Sequence, residues 1–182
     1  LVLLGILVSF SGIAQDYPSD YLSPAFHADR RAAVKKQLSD KGVGIFFAGQ
    51  TRQRSNDTEF QYAQNKNFYY LTGLNEPNAV LLLFKQPVSL LGKTGTEFIF
   101  IQNRDPFKEL WTGKILGVDG FREQSKMENI FINDQFKANI LPMDGIDSVY
   151  SLFRSEGIIQ KFKGKEEALT RMASTVDSLI TS

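Results

Sequence analysis

Apolar positions along the chain fall into short blocks, and their spacing separates helix from strand. In "SPAFHADRRAAVKKQLSDKG" (Ser23 to Gly42) the apolar residues Phe26, Ala33, Val34 and Leu38 lie on roughly one helical face. Ser23 is a fitting N-cap, Pro24 suits the first helical position and Gly42 closes the segment. "VGIFFAG" (Val43 to Gly49) follows almost without a connection and reads as a buried strand, as do "FYYL" (68–71), "AVLLLF" (79–84) and "EFIFIQ" (97–102). The run from Ala79 to Phe84 has no polar member, the pattern of a strand covered on both faces. Further on, Asn133 or Asp134 can cap a helix "DQFKANIL" limited by Pro142, "DSVYSLF" (147–153) reads as a fifth strand and "GKEEALTRMASTVDSLI" (164–180) as a last helix. The order predicts an α/β fold with a mixed β-sheet flanked by helices.

One segment poses a specific question. "NKNFYYLTGLNEPNAVLLLF" (Asn65 to Phe84) reads as strand, turn, strand, with Gly73, Asn75, Glu76 and Pro77 in the turn. Pro77 fixes its own φ and biases Glu76 toward an extended backbone, Gly73 can take positive φ, and Asn75 can bond back to the chain. The insert is therefore predicted to be a rigid structural corner, suited to holding loops at a cleft or an interface.

The first block differs from the rest. Leu1 to Ala14 carries no charge, and as a helix it would reach only about 21 Å at roughly 1.5 Å per residue, short of the roughly 30 Å hydrocarbon core. Gly12 and Ala14 have the spacing of a signal-peptidase site, so residues 1–14 read as a signal peptide whose basic n-region is missing, the alternative being an N-terminal anchor. No membrane span is expected. The mature chain is expected to begin at Gln15 and to be exported, to a periplasm or out of the cell.

Composition narrows the function classes. The 182 residues are 42% hydrophobic and 23% charged, with a formal net charge of +1, which fits a single soluble globular unit and gives no basic footprint for nucleic acid. Cysteine is absent, which removes disulfides, thiol nucleophiles and thiolate metal sites together. His27 is the single histidine and is expected to be a solvated residue early in the first helix, so a histidine-based triad has no other candidate. The phosphate-binding, serine-hydrolase and zinc-peptidase motifs are missing as well. Asp57 with Glu59, or Asp105 with Glu109, could be a carboxylate pair for acid/base work or for a hard metal, although carboxylates in polar loops are commonly just solvated.

Two polar loops stand out. "GQTRQRSNDTEFQYAQNKN" (49–67) is long for a compact fold, and "NRDPFKELWTGKILG" (103–117) holds the single tryptophan, Trp111. That ring can be a core plug or an aromatic wall offered to a ligand.

At these residues the chain resembles a known family. F-Y-Y-L-T-G-x-N-E-P at Phe68 to Pro77 and R-D-P-x-x-E-x-W-x-G-x-x-L-G at Arg104 to Gly117 resemble the N-terminal domain of the Xaa-Pro aminopeptidases (aminopeptidase P), within the creatinase/prolidase pita-bread superfamily. The similarity runs from the helix near Arg30 through Val149, with Thr112 and Ile115 following the second motif more loosely. It implies a ribonuclease-H-like layout over residues 15–182 that supports a homo-oligomer and gates the substrate cleft. It also implies a C-terminal catalytic domain, outside this sequence, that binds two manganese ions on two Asp, one His and two Glu and removes the residue preceding proline. The partners implied are that catalytic domain and peptides with proline at the second position. No catalytic or metal-binding residue is then expected in this stretch, while Trp111 and Asp57 are implied to contact the substrate cleft. Two alternatives stay open: a free-standing binding or oligomerisation module of the same fold, and a different hydrolase with a metal site built from Asp57, Glu59, Asp105 and Glu109.

Overall fold

The protein is described from a computed structural model, which covers residues 22–55, 58–137, 140–142, 145–151 and 168–181. The expected cleavage site and Asp57 lie outside these residues. A five-stranded mixed sheet forms the centre, in the order β6–β5–β4–β1–β7. Its members are β1 (Gly42–Phe47), β4 (Val80–Leu90), β5 (Lys93–Ile101), β6 (Ile130–Ile132) and β7 (Ser148–Ser151), while β2 (Gln53–Ser55) and β3 (Thr58–Glu59) make a separate small ribbon. Strand β4 pairs antiparallel with both neighbours, while β5 with β6 and β1 with β7 are parallel, so β4 alone runs against the other four. The mixed, helix-flanked α/β architecture expected from the sequence is the one the chain forms.

Strand alternation sends side chains to two faces, and both faces are covered. Val43, Ile45, Val80, Leu82, Phe98 and Phe100 face α5 (Ala168–Thr181), where Leu169, Met172 and Val176 close the layer. Leu81, Leu83, Ile99 and Ile101 face the opposite way, against Leu38 after α1 (Pro24–Gln37), Phe68 and Leu71 of α2 (Lys66–Thr72), and Phe121 of α4 (Gly117–Ser125). Residues Val80 to Leu83 are completely shielded, which explains why no polar residue interrupts that run. Pro87 sits where the β4–β5 register shifts, between Leu83 and Val88, since a residue without an N–H cannot keep the ladder. Among the described residues no helix is long and apolar enough to cross a membrane.

Several local expectations change. Phe68 to Leu71 is not a strand but the middle of helix α2. Asn65 caps it, its side chain accepting from the amides of Asn67 and Phe68, and Gly73 ends it in the left-handed conformation at φ 68°. Phe68, Leu71 and Thr72 are buried while Tyr70 is 46% exposed, a helical rhythm that an all-apolar run of four residues cannot reveal. The segment Asn65 to Phe84 is therefore helix, corner, strand. The helix expected from Asp134 does not continue as one: a 3-10 turn, Asn133–Gln135, ends at Phe136, and residues 138–139 of that segment lie outside the described residues. Asn133 does not cap it but turns its amide to the carbonyl of Asn78, 2.9 Å away, and Phe136 is drawn into the core. Helix α1 ends at Gln37, before Gly42, and Ala33 is exposed. Its inward face is largely polar: Arg31 donates to Glu97 at 2.7 Å and to the Leu71 carbonyl at 2.9 Å. His27 is correspondingly not solvated but buried, with Nδ1 donating to the Tyr70 carbonyl at 2.9 Å.

Candidate functional site

The second motif folds into a helical elbow at the end of β5. Asp105 accepts the amide of Phe107 at 3.0 Å and starts α3 (Pro106–Thr112); Gly113 and Gly117, both with positive φ, bracket the short link to α4. At Gly117 an added Cβ would lie 3.0 Å from Cβ of Arg104, so close packing and backbone sign together demand glycine there. Phe107, Leu110 and Trp111 share one face of α3 by their i, i+3, i+4 spacing and are 81%, 78% and 90% exposed. A core plug would be shielded, so Trp111 is not one.

What holds this face in place lies beneath it. Arg104 donates two bonds to Glu109, at 2.8 and 3.1 Å, and Oε1 of Glu109 also accepts the amide of Ile115 at 3.1 Å. The Arg104 guanidinium first, and the Ile115 N–H next, hold the Glu109 carboxyl below its usual range. Glu76, from the first motif, is only 4% exposed and accepts the amide of Leu116 at 2.7 Å and the amide group of Gln102 at 3.3 Å. Two carboxylates therefore receive two successive backbone N–H groups of the link. Gln64 braces the corner from behind, donating to the carbonyls of Leu74 and Glu76 and accepting from the amides of Gly49 and Asn65. An open cleft of about 590 Å³ runs beside the elbow, lined by Arg104, Lys114, Leu116, Asp119 and Gln124 among others.

The residues expected to form a turn between two strands instead link α2 to β4, and their parts work differently from expectation. Gly73 has the positive φ foreseen for it and Pro77 follows Glu76 into the corner, whereas Asn75 is simply exposed. Glu76 serves the elbow through backbone and amide groups, and Arg104 is taken by Glu109. Glu59 is exposed on β3, while Asp105 and Glu109 are engaged in capping and pairing. Among the described residues no three of His, Asp and Glu gather in a group fit to hold a metal ion. Gln64 and Gln102 carry no short-range signature and were not singled out by the sequence. Their role depends on residues ten or more positions away.

Comparison with known proteins agrees with this architecture. Residues 27–150 match the family model described as aminopeptidase P, N-terminal domain. The chain is 34% identical over 114 residues to a Xaa-Pro aminopeptidase of Haemophilus influenzae, covering 63% of this chain and 25% of that protein. It is 28% identical over 158 residues to the Xaa-Pro aminopeptidase of Escherichia coli, covering 81% of this chain and 35% of that one. Among solved structures, E. coli aminopeptidase P with the inhibitor Pro-Leu superposes with a TM-score of 0.63 at 27% identity, over 86% of this chain and 33% of that one. The zinc-substituted E. coli enzyme in complex with product gives 0.64 at 29% identity, over 88% and 33%. The chain spans about a quarter to a third of the length of these relatives. With both sequence motifs, the mixed sheet and the family match over most of its described length in agreement, this chain belongs to the aminopeptidase P N-terminal domain family.

Proposed function

We propose that this chain is the non-catalytic N-terminal domain of an exported Xaa-Pro aminopeptidase, a metallo-exopeptidase that releases the residue preceding an N-terminal proline bond. In this reading the domain borders the substrate cleft of a C-terminal catalytic domain, admits peptide N-termini, excludes folded proteins and contributes to a homo-oligomer. The metal centre, with manganese as the proposed ion, belongs to that catalytic domain. The described residues here offer no donor set that fits it. The proposal of export rests on the uncharged block Leu1 to Ala14 with its Gly12 and Ala14 spacing.

The observation that carries the reading is the exposed face of α3. Three large apolar side chains held outward on a braced elbow are an unusual expense for a surface, and they suit contact with a substrate or with the wall of a cleft. In the full-length enzyme, Trp111→Ala is expected to lower kcat/KM for X-Pro peptides by about tenfold or more, each 1.36 kcal/mol being one factor of ten. Tm should hardly move, because a side chain 90% exposed contributes little to the core. Unchanged kinetics toward X-Pro peptides would remove Trp111 from the cleft. The export proposal has a separate check: mass spectrometry of the mature protein should find its first residue at Gln15, and retention of Leu1 to Ala14 would contradict it.

A further inference from the structure

We propose that Glu76 is a positioning residue for α3, one that sets activity without touching substrate. The inference rests on the reading of α3 as the cleft-facing element. Glu76 is one of few charged residues buried in the described chain, and it belongs to neither α3 nor its flanking link. It sits instead in the corner between α2 and β4, forty positions before the amide it binds. A shielded carboxylate is retained at a cost in desolvation, so its bonds define what it is kept for. One oxygen takes the Leu116 N–H at 2.7 Å and the other the Gln102 amide at 3.3 Å, which ties the corner both to the link and to the segment leaving β5.

The geometry has a consequence for α3. Helix α3 is seven residues long, too short to hold its own direction, and it makes its turn into α4 through Gly113 to Leu116. That link is fixed at Ile115 by Glu109, which moves with α3 itself, and at Leu116 by Glu76, which is anchored in the core. Glu76 is therefore the carboxylate that references the elbow to the sheet. Its negative charge also lies at the entry of α4, where a helix N-terminus favours it. Removing it leaves the Leu116 N–H without that acceptor and lets the Phe107, Leu110 and Trp111 face swing.

The test is a double-mutant cycle in the full-length enzyme with an X-Pro peptide, combined with amide hydrogen exchange. Glu76→Ala is expected to lower kcat/KM by about tenfold, equivalent to 1.36 kcal/mol, while adding little in a Trp111→Ala background, because both changes disable the same element. Glu76→Gln keeps an oxygen for the Leu116 N–H and should retain most of the activity, which also guards against failure of the alanine variant to fold. Exchange at Leu116 and along α3 should quicken in the alanine variant. An equal loss from Glu76→Ala with and without Trp111 would overturn the proposal, showing a general effect on the fold. So would unaltered exchange in α3. If Trp111→Ala itself leaves kinetics intact, the cleft reading fails, and exchange in α3 alone then decides whether Glu76 positions the helix.

Discussion

Gly73 shows how much a single position can encode. It ends α2 at φ 68°, and a Cβ placed there would lie 2.7 Å from Nε2 of the buried His27. The backbone sign and the space both exclude a side chain. Gly73→Ala is expected to destabilise the fold by about 1 to 2 kcal/mol from the left-handed conformation alone, with displacement of His27 added to that. Urea unfolding of the variant checks this, and a loss below a few tenths of a kcal/mol would show that α2 can end another way. The glycine was legible in the sequence as a turn residue. Its partner was not, because His27 lies 46 positions upstream and its histidine ring reads the same whether solvated or packed.

At the scale of elements, helix α1 is fastened to the sheet by charge as well as by packing. Glu97 on β5 receives Arg31 at 2.7 Å and Lys35 at 2.6 Å. Burial pushes the Glu97 carboxyl upward, but the two cations outweigh it, so the group ends below its ordinary value of 4.5. A carboxylate depressed on folding contributes stability that is complete above its unfolded pKa and is lost as pH falls through the folded value. Acidification below pH 4.5 should therefore weaken the α1 contact, and the fall in Tm over that window should be shallower in Glu97→Gln than in the parent. An identical slope in both proteins would assign the acid sensitivity elsewhere. The same ion pairs explain which elements the sequence disclosed. Residues 79–84 are buried on both sides among aliphatic and aromatic side chains, so composition identified the strand; the inner face of α1 is instead built largely of His27 and Arg31, which an apolar-periodicity rule assigns to solvent. Residues 68–71 failed for the opposite reason. Four apolar residues in succession fit either geometry, and only the Asn65 cap and the Gly73 terminus distinguish them.

For the whole molecule, the two motifs that carry the family resemblance prove to be neighbours in space. The Leu116 amide bonded to Glu76 joins them directly, and this junction is where the large exposed apolar side chains of α3 project. The sheet itself is assembled from distant pieces. Strand β1 pairs with β4 on one side, but on the other it waits for β7, with Val43 opposite Val149. Closing a loop of roughly a hundred residues costs little more free energy than closing one of fifty, yet the search for it is slow. On a ribosome, β1, β4, β5 and β6 all emerge before β7, so the growing chain carries an apolar strand with one open edge until Ser148 to Ser151 have been made. That edge, Gly42 to Phe47, is the surface a nascent chain must keep from its neighbours: a matter of timing on the assembly line rather than of the finished fold's strength.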